Sequence, residues 1–289
     1  LSGCGRFGPD DSALAIDIPD SFAISPAIST GQGQLQDKWW QAFNSEELNQ
    51  LVEEAMASNL TIEQAWARLK QARAAEMATQ AADKIKVDLS AGAGTTRTST
   101  ETPLGDVKNT TDNYLLGLAA SYELDLWGRL DSQQQASRLS VESSREAVNT
   151  AATTIAGKVV ETWLDILTQR QKRAILNSQL KTNQDYLDTI EARFNASMVT
   201  ALDVFRQRQT VEKVKSSLYL VDSAEQVLMN KMAALLGRMP GEQVEISSQQ
   251  LPDMPEMPET GVPSELLTRR PDLKAAMLNV RLAQWNLAE

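Results

Sequence analysis

Two hydrophobic periods divide this chain, and the change between them falls at Tyr122-Glu123-Leu124-Asp125-Leu126-Trp127-Gly128-Arg129. Before that string, Tyr114, Leu116, Leu118, Ala120, Tyr122 and Leu124 alternate with Leu115, Gly117, Ala119, Ser121, Glu123 and Asp125. This is the two-residue period of a strand with unlike faces. After it, apolar residues return every three or four positions for more than sixty residues, as in a long packed helix. A strand running into a very long helix is rare in compact enzymes and is expected where a barrel wall continues into a helical tube.

An earlier strand is predicted where Val87, Leu89, Ala91 and Ala93 alternate with Asp88, Ser90, Gly92 and Gly94. Thr98 to Asp112, with Pro103, Gly105 and Asn109, reads as a loop, and the second strand as Asn113 to Asp125. Tyr114 and Tyr122 would then lie about 26 Å apart on one face. That spacing matches two aromatic girdles around an apolar band of about 25 Å. The opposite face, with Gly, Ser, Asp and Glu, suits a wet lumen. A half-buried sheet in a soluble globule shows the same alternation, so the pattern alone leaves both readings open. In lipid every backbone group needs a partner, so a spanning hairpin must find more strands in other chains or in further sequence.

The helical readings are more detailed. Ser45 is placed to cap a short helix with Glu46 and Glu47 in its first turn, its apolar face being Leu48, Leu51, Val52, Ala55 and Met56. The aromatic knot Trp39-Trp40-Gln41-Ala42-Phe43 packs against that face. A second helix runs from Thr61 to about Lys84. In the long helix, Val148, Ala151, Ile155, Val159, Thr162 and Ile166 form one series, and Leu176, Leu180, Asn183, Leu187, Ile190 and Phe194 step by four and three as a heptad. Asp131 to Phe194 as a single helix would be about 95 Å long. Asn195 to Thr200 breaks it, and Thr200 can cap a returning helix with Val211, Val214, Leu218, Val221, Leu228, Met232 and Leu235 on its seam. Glu225 also falls on that seam and needs a partner or water. Gly237 stops the helix. A Pro-punctuated connector follows, and a last helix begins near Pro271. Leu60-Thr61-Ile62-Glu63-Gln64-Ala65 matches Pro271-Asp272-Leu273-Lys274-Ala275-Ala276 loosely at an offset of 211, the expected opening of a second repeat.

Composition narrows the function. The 289 residues carry a formal charge of −10 with no basic cluster, which argues against nucleic acid. Histidine is absent and cysteine occurs once, so the usual zinc, haem and histidine-based catalytic arrangements are excluded, and no carboxylate or Ser-Lys spacing singles out an active site. No run of 18 apolar residues marks a membrane-spanning helix. The cysteine is Cys4 in Leu1-Ser2-Gly3-Cys4, a string like a bacterial lipobox, where the thiol accepts a diacylglycerol and the new amino terminus an acyl chain. Gly5, in place of an Asp that would favour inner-membrane retention, points lipoprotein sorting outward. The signal peptide expected before a lipobox would lie upstream of Leu1.

The chain resembles outer-membrane efflux channels of the TolC/OprM type, closest to the lipoprotein (NodT-type) branch of tripartite efflux systems. The resemblance rests on Leu1-Ser2-Gly3-Cys4, Trp39-Trp40-Gln41-Ala42-Phe43, Tyr122 to Arg129, Ala201-Leu202-Asp203-Val204 and Arg269-Arg270-Pro271-Asp272-Leu273, whose order spans the whole chain. It implies a mainly α fold with a β-hairpin, in which a long antiparallel α-helical hairpin (tunnel) is fused to transmembrane β-barrel strands. It further implies a homotrimer with a twelve-stranded barrel, four strands per protomer, in the outer membrane of a Gram-negative bacterium and extending into the periplasm. A periplasmic adaptor, an inner-membrane RND-type pump and outer-membrane lipid would be its partners, with no cofactor beyond the lipid on Cys4. By position, Asp125, Trp127 and Gly128 match the barrel-to-tunnel junction, and Arg193, Ser197, Val199, Thr200, Leu202 and Asp203 the hairpin tip that meets the adaptor.

The organisation expected is an anchored arm (1–44), first helices (45–85), barrel hairpin (86–125), coiled-coil hairpin (126–237), connector (238–269) and the start of a second, truncated repeat (270–289). Two departures stand out: Ser197 occupies a usual glycine position, and the second hairpin with its helix pair is missing. The function expected is a passive exit duct for small molecules. A structural coiled-coil envelope lipoprotein without transport is the alternative.

Overall fold

The computed structural model describes residues 38–103, 105–255 and 263–287; Cys4 and the arm preceding residue 38 lie outside them. A short 3-10 turn, Trp39–Phe43, leads into α1 (Glu46–Ser58), α2 (Leu60–Ala82), β1 (Lys86–Thr102), β2 (Gly105–Ser121), α3 (Arg129–Asn195), α4 (Ala201–Leu235), α5 (Pro263–Arg269) and α6 (Pro271–Leu287). None of the described helices is long and apolar enough to cross a membrane. The mainly α class with one β-hairpin is as the periodicities predict. Chain contacts divide into two compact units, one built on Leu69–Arg145 with Ala275–Glu289, the other on Asp17–Arg68 with Glu146–Lys274.

In the second unit, α1 starts as its cap residue dictates: Ser45 Oγ accepts from Leu48 N at 3.2 Å. Leu48, Val52 and Ala55 are fully buried with Trp163, Ile166, Leu167, Met232 and Leu236, and Trp40 of the aromatic knot joins this core. Glu47 locks the connector onto it. Its Oε1 accepts from Trp163 Nε1 at 3.0 Å, and its Oε2 from Ser247 N at 2.6 Å, Ser247 Oγ at 2.7 Å and Ser248 N at 3.2 Å. Burial pushes the Glu47 carboxyl up, but the bonds from Ser247, Trp163 and Ser248 outweigh it and hold the pKa at about 2. Asn59 serves two helices at once: Oδ1 accepts from Thr61 N at 2.9 Å at the start of α2, and Nδ2 donates to Leu235 O at 2.7 Å at the end of α4.

The seam of the α3–α4 hairpin follows the heptad reading. Ile190, Val204 and Val211 are buried and Leu176, Leu180, Leu187, Val214, Leu218 and Val221 half-buried, whereas Phe194 at the tip is exposed. The turn closes with Ser197 at φ 58°, in the left-handed region, while Ser197 N donates to Phe194 O at 2.8 Å and Met198 N to Arg193 O at 2.9 Å.

In the first unit, β1 and β2 pair antiparallel from Lys86↔Ser121 to Thr102↔Gly105. Thr79 and Ser137 hydroxyls lie 2.8 Å apart between α2 and α3, and Ser143 Oγ donates to Asn279 Oδ1 of α6 at 2.8 Å. Two corrections to the sequence reading arise here. The stretch read as loop is mostly strand: each strand has 17 residues and the ladder continues to Thr102↔Gly105. The β-branched run Thr95, Thr96, Thr98, Thr100, Thr110 and Thr111 favours the pleat, while polarity on both faces removes the alternation by which a strand is read. The second strand ends at Ser121 rather than Asp125, because β1 begins at Lys86 and offers Tyr122 no partner. Only Tyr114 of the two proposed girdle residues is therefore within the ladder. A third difference is α5, inside the stretch read as connector. It ends before Pro271, which lacks an N–H and disfavours a helical Arg270.

Three outcomes follow from these contacts. A Cβ at Gly237, whose φ is 72°, would stand 2.2 Å from Ser58 O, whereas one at Gly241 (φ 96°) meets nothing. Gly237→Ala should cost more than about 2 kcal/mol in urea unfolding and Gly241→Ala only about 1 kcal/mol. Ser197→Gly relieves a left-handed non-glycine residue and should raise stability by about 1 kcal/mol in the same assay. Because the folded pKa of Glu47 lies below its ordinary 4.5, its stabilisation is complete above about pH 4.5 and is lost as pH falls toward 2. The Tm gap between wild type and Glu47→Gln should thus narrow as pH is lowered from 7 to that range; a pH-independent gap contradicts the assignment.

Candidate functional site

Three stations on the fold carry the candidate chemistry. The first is the hairpin face formed by Val87, Leu89, Ala91 and Ala93 with their register partners Ala120, Leu118, Leu116 and Tyr114. Directly opposed residues share a face, so all eight point the same way. Leu116 is 78% exposed and Tyr114 82%, a contiguous apolar surface that water does not favour. The other face carries Lys86, Asp88, Ser90, Gly92 and Gly94 opposite Ser121, Ala119, Gly117, Leu115 and Asn113, polar or small except for Leu115. Among the described residues β1 and β2 pair only with each other, leaving both outer edges open.

The second station is the strand-to-helix junction. Gly128 is buried at φ 81°, turning the chain into α3. Asp125 Oδ2 accepts from Asp131 N at 3.0 Å, and the Asp131 N–H, joined by those of Leu130, Gly128 and Arg129, outweighs desolvation and holds the Asp125 carboxyl below the usual range. An anion at a helix N-terminus is the expected complement to its dipole. Arg129 Nη2 pairs with Glu123 Oε1 at 2.7 Å across the turn. Trp127 is 77% exposed. Asp125 and Gly128 thus work on one turn, and Trp127 projects from it.

The third station is the tip. Both Thr200 N and Thr200 Oγ1 donate to Asp203 Oδ2, at 2.9 and 2.6 Å, and the hydroxyl bond leads the causes that keep the Asp203 carboxyl below its usual range. Ser197 supplies the left-handed residue, while Leu202, Met198 and Phe205 are exposed and Val199 half-buried. Arg193 contributes its carbonyl to the turn. These residues form one local cluster with exposed apolar side chains.

Sequence reasoning left Glu225 without a partner. Arg170 Nε donates to Glu225 Oε1 at 2.8 Å, Arg173 Nη2 pairs with Glu225 Oε2, and Arg173 Nε donates to Asp222 Oδ1 at 2.7 Å. Arg170 Nη1 also donates to the carbonyls of Ile246 and Ser248, each at 2.7 Å. Arg170 and Glu225 side chains are only 10% and 11% exposed, so these extra bonds offset part of the desolvation cost of the pair. The signal was available: reflecting positions about the tip, midway between Ser197 and Met198, carries 225 onto 170 and 222 onto 173. No group of three or more His, Cys, Asp or Glu among the described residues is placed to hold a metal ion.

The profile of the outer membrane efflux protein family matches residues 51–238. The chain is 32% identical over 294 residues to the pyoverdine export outer membrane protein OpmQ of Pseudomonas putida, covering 99% of this chain and 62% of that protein. It is 27% identical to the probable efflux pump outer membrane protein TtgC of the same species, covering 99% and 60%. In fold it is similar to the outer-membrane channel OprN (TM-score 0.79, 24% identity, 98% of this chain and 64% of that one) and to the Campylobacter jejuni CmeC outer membrane channel (TM-score 0.80, 19% identity, 98% and 61%). The chain spans about three fifths of the length of these relatives. An outer-membrane location, expected from the residues, agrees with them. On the family profile and on a relative aligned over 99% of this chain, the chain belongs to the outer membrane efflux protein family.

Proposed function

We propose that the chain forms part of a passive exit duct through which a tripartite pump discharges small molecules across the outer membrane. The observation that carries this is the hairpin: an exposed apolar face backed by a polar one, with two open edges, joined directly to α3. Open edges in hydrocarbon demand further strands, and three copies around an axis supply them symmetrically. Asp125, Trp127 and Gly128 act as the junction where the barrel wall becomes tunnel. The tip residues Arg193, Ser197, Val199, Thr200, Leu202 and Asp203 meet a periplasmic adaptor, which links the duct to an inner-membrane RND-type pump supplying the energy. Cys4 carries the diacylglycerol and N-acyl anchor. No bond is made or broken in the duct, so no catalytic residue or cofactor is assigned. A purely structural envelope lipoprotein would have no use for the apolar hairpin face.

The two faces provide the test. Leu118→Lys, a further rung inward from the Tyr114 boundary and near the middle of the band, places a cation against acyl chains and should cost about 2–4 kcal/mol, abolishing the heat-modifiable assembled form and raising intracellular dye accumulation to the level of a deletion strain. Ala119→Lys, on the opposite face, should assemble and export normally. Equal tolerance of both substitutions, or unchanged accumulation on deletion with no redundant channel, would refute the duct.

A further inference from the structure

The hairpin is longer than a membrane requires. A tilted strand crosses hydrocarbon in about 9–11 residues, whereas β1 and β2 have 17 each. On the apolar face, the rungs beyond Ala93↔Tyr114 are Thr95↔Asp112, Arg97↔Thr110, Ser99↔Lys108 and Glu101↔Asp106. On the other face the distal rungs are Thr96↔Thr111, Thr98↔Asn109 and Thr100↔Val107. Every charged residue of this distal half, Arg97, Glu101, Asp106, Lys108 and Asp112, therefore lies on the side that continues the apolar band, and the lumen side is neutral. If the charges served only solubility above the membrane, either face would do.

Arg97 and Lys108 occupy neighbouring rungs diagonally, with Cβ atoms roughly 7 Å apart. Both are exposed, and among the described residues neither side chain has an ion pair or hydrogen bond. Asp112, one rung nearer the band, is engaged by Thr95 Oγ1 at 2.8 Å. Glu101 and Asp106 face each other one rung farther out. Two rungs separate Arg97 from Tyr114, about 14 Å along the strand and about 10 Å of height at the usual tilt. That places two free cations over the headgroup layer, within side-chain reach of it.

We propose that Arg97 and Lys108 form a clamp for the phosphates of outer-leaflet lipid headgroups, holding the hairpin at a fixed depth. The inference rests on the reading of the apolar face as membrane-facing. A guanidinium binds phosphate bidentately and an adjacent ammonium completes the charge. Continuity with the lipid-facing band favours a headgroup over free phosphate.

The protein extracted from outer membranes in mild detergent is titrated with bisphosphorylated lipid A, with its dephosphorylated form and with inorganic phosphate. Removing two charge-assisted contacts in Arg97→Gln/Lys108→Gln should weaken the phosphorylated lipid about tenfold or more, with the dephosphorylated lipid unaffected and inorganic phosphate unable to compete at equal concentration. Unchanged affinity, an equal loss toward both lipids, or displacement by inorganic phosphate overturns the clamp. Should the double variant fail to assemble, Lys108→Gln alone must show the same selective loss at smaller size, and its absence counts equally against the proposal. Quenching of Leu116→Trp by brominated acyl chains reports separately on the face itself. No quenching removes the membrane reading; quenching with unaltered lipid affinity removes the clamp alone.

Discussion

Backbone hydrogen bonding in a solvent without water is the constraint from which the rest of this structure follows. A strand exposed to hydrocarbon leaves its outer-edge N–H and C=O groups unpaired at several kcal/mol each, and a two-stranded sheet has two such edges. β1 and β2 satisfy only the edge between them. For the proposed duct, closure by further strands is then an energetic necessity. In the proposed duct the apolar face is the side turned to lipid, and the register carries the distinction between the two faces along 17 rungs.

That junction and the hairpin tip solve one problem at opposite polarities of a helix. The first N–H groups of α3 have no intrahelical partner, and the Asp125 carboxylate, brought into place by the left-handed Gly128, accepts from them. At the other end the last carbonyls of α3 are met by the N–H groups of Ser197 and Met198, and Asp203 receives both donors of Thr200 as α4 begins. Between these ends Arg170 ties α3 to Glu225 of α4 and to the carbonyls of Ile246 and Ser248. Removing Glu225 alone would strand a guanidinium that is nearly inaccessible to water, which costs far more than the intact pair contributes.

Legibility in the sequence tracked how strongly one environment was imposed on each side of an element. The heptad of α3 and α4, the Ser45 cap, the Gly237 stop and the helix start at Pro271 could all be read, because each is a local rule or a period set by one buried stripe. The distal hairpin reads as loop in the sequence because both its faces are wet, so no alternation survives and Pro103 and Gly105 dominate the local signal. Tyr122 to Asp125 misled in the other direction: the alternation persists, but the partner strand has already ended. α5 is not legible in the sequence because its seven residues carry less than two full turns of pattern. The tip and junction residues could be named by likeness to a family; which of their atoms meet could not.

The sequence by itself determined the alternation of faces, the two periods and the helix ends, since these depend on residue type and spacing alone. Tertiary structure decided the 17-rung register, the pairing of Glu225 with Arg170 and Arg173, the hold of Glu47 on Ser247 and Ser248, and the sorting of distal charges to one side of the hairpin. Those depend on which distant backbone or side chain stands opposite. A one-residue slip in register would exchange the two faces of the sheet without changing a single residue.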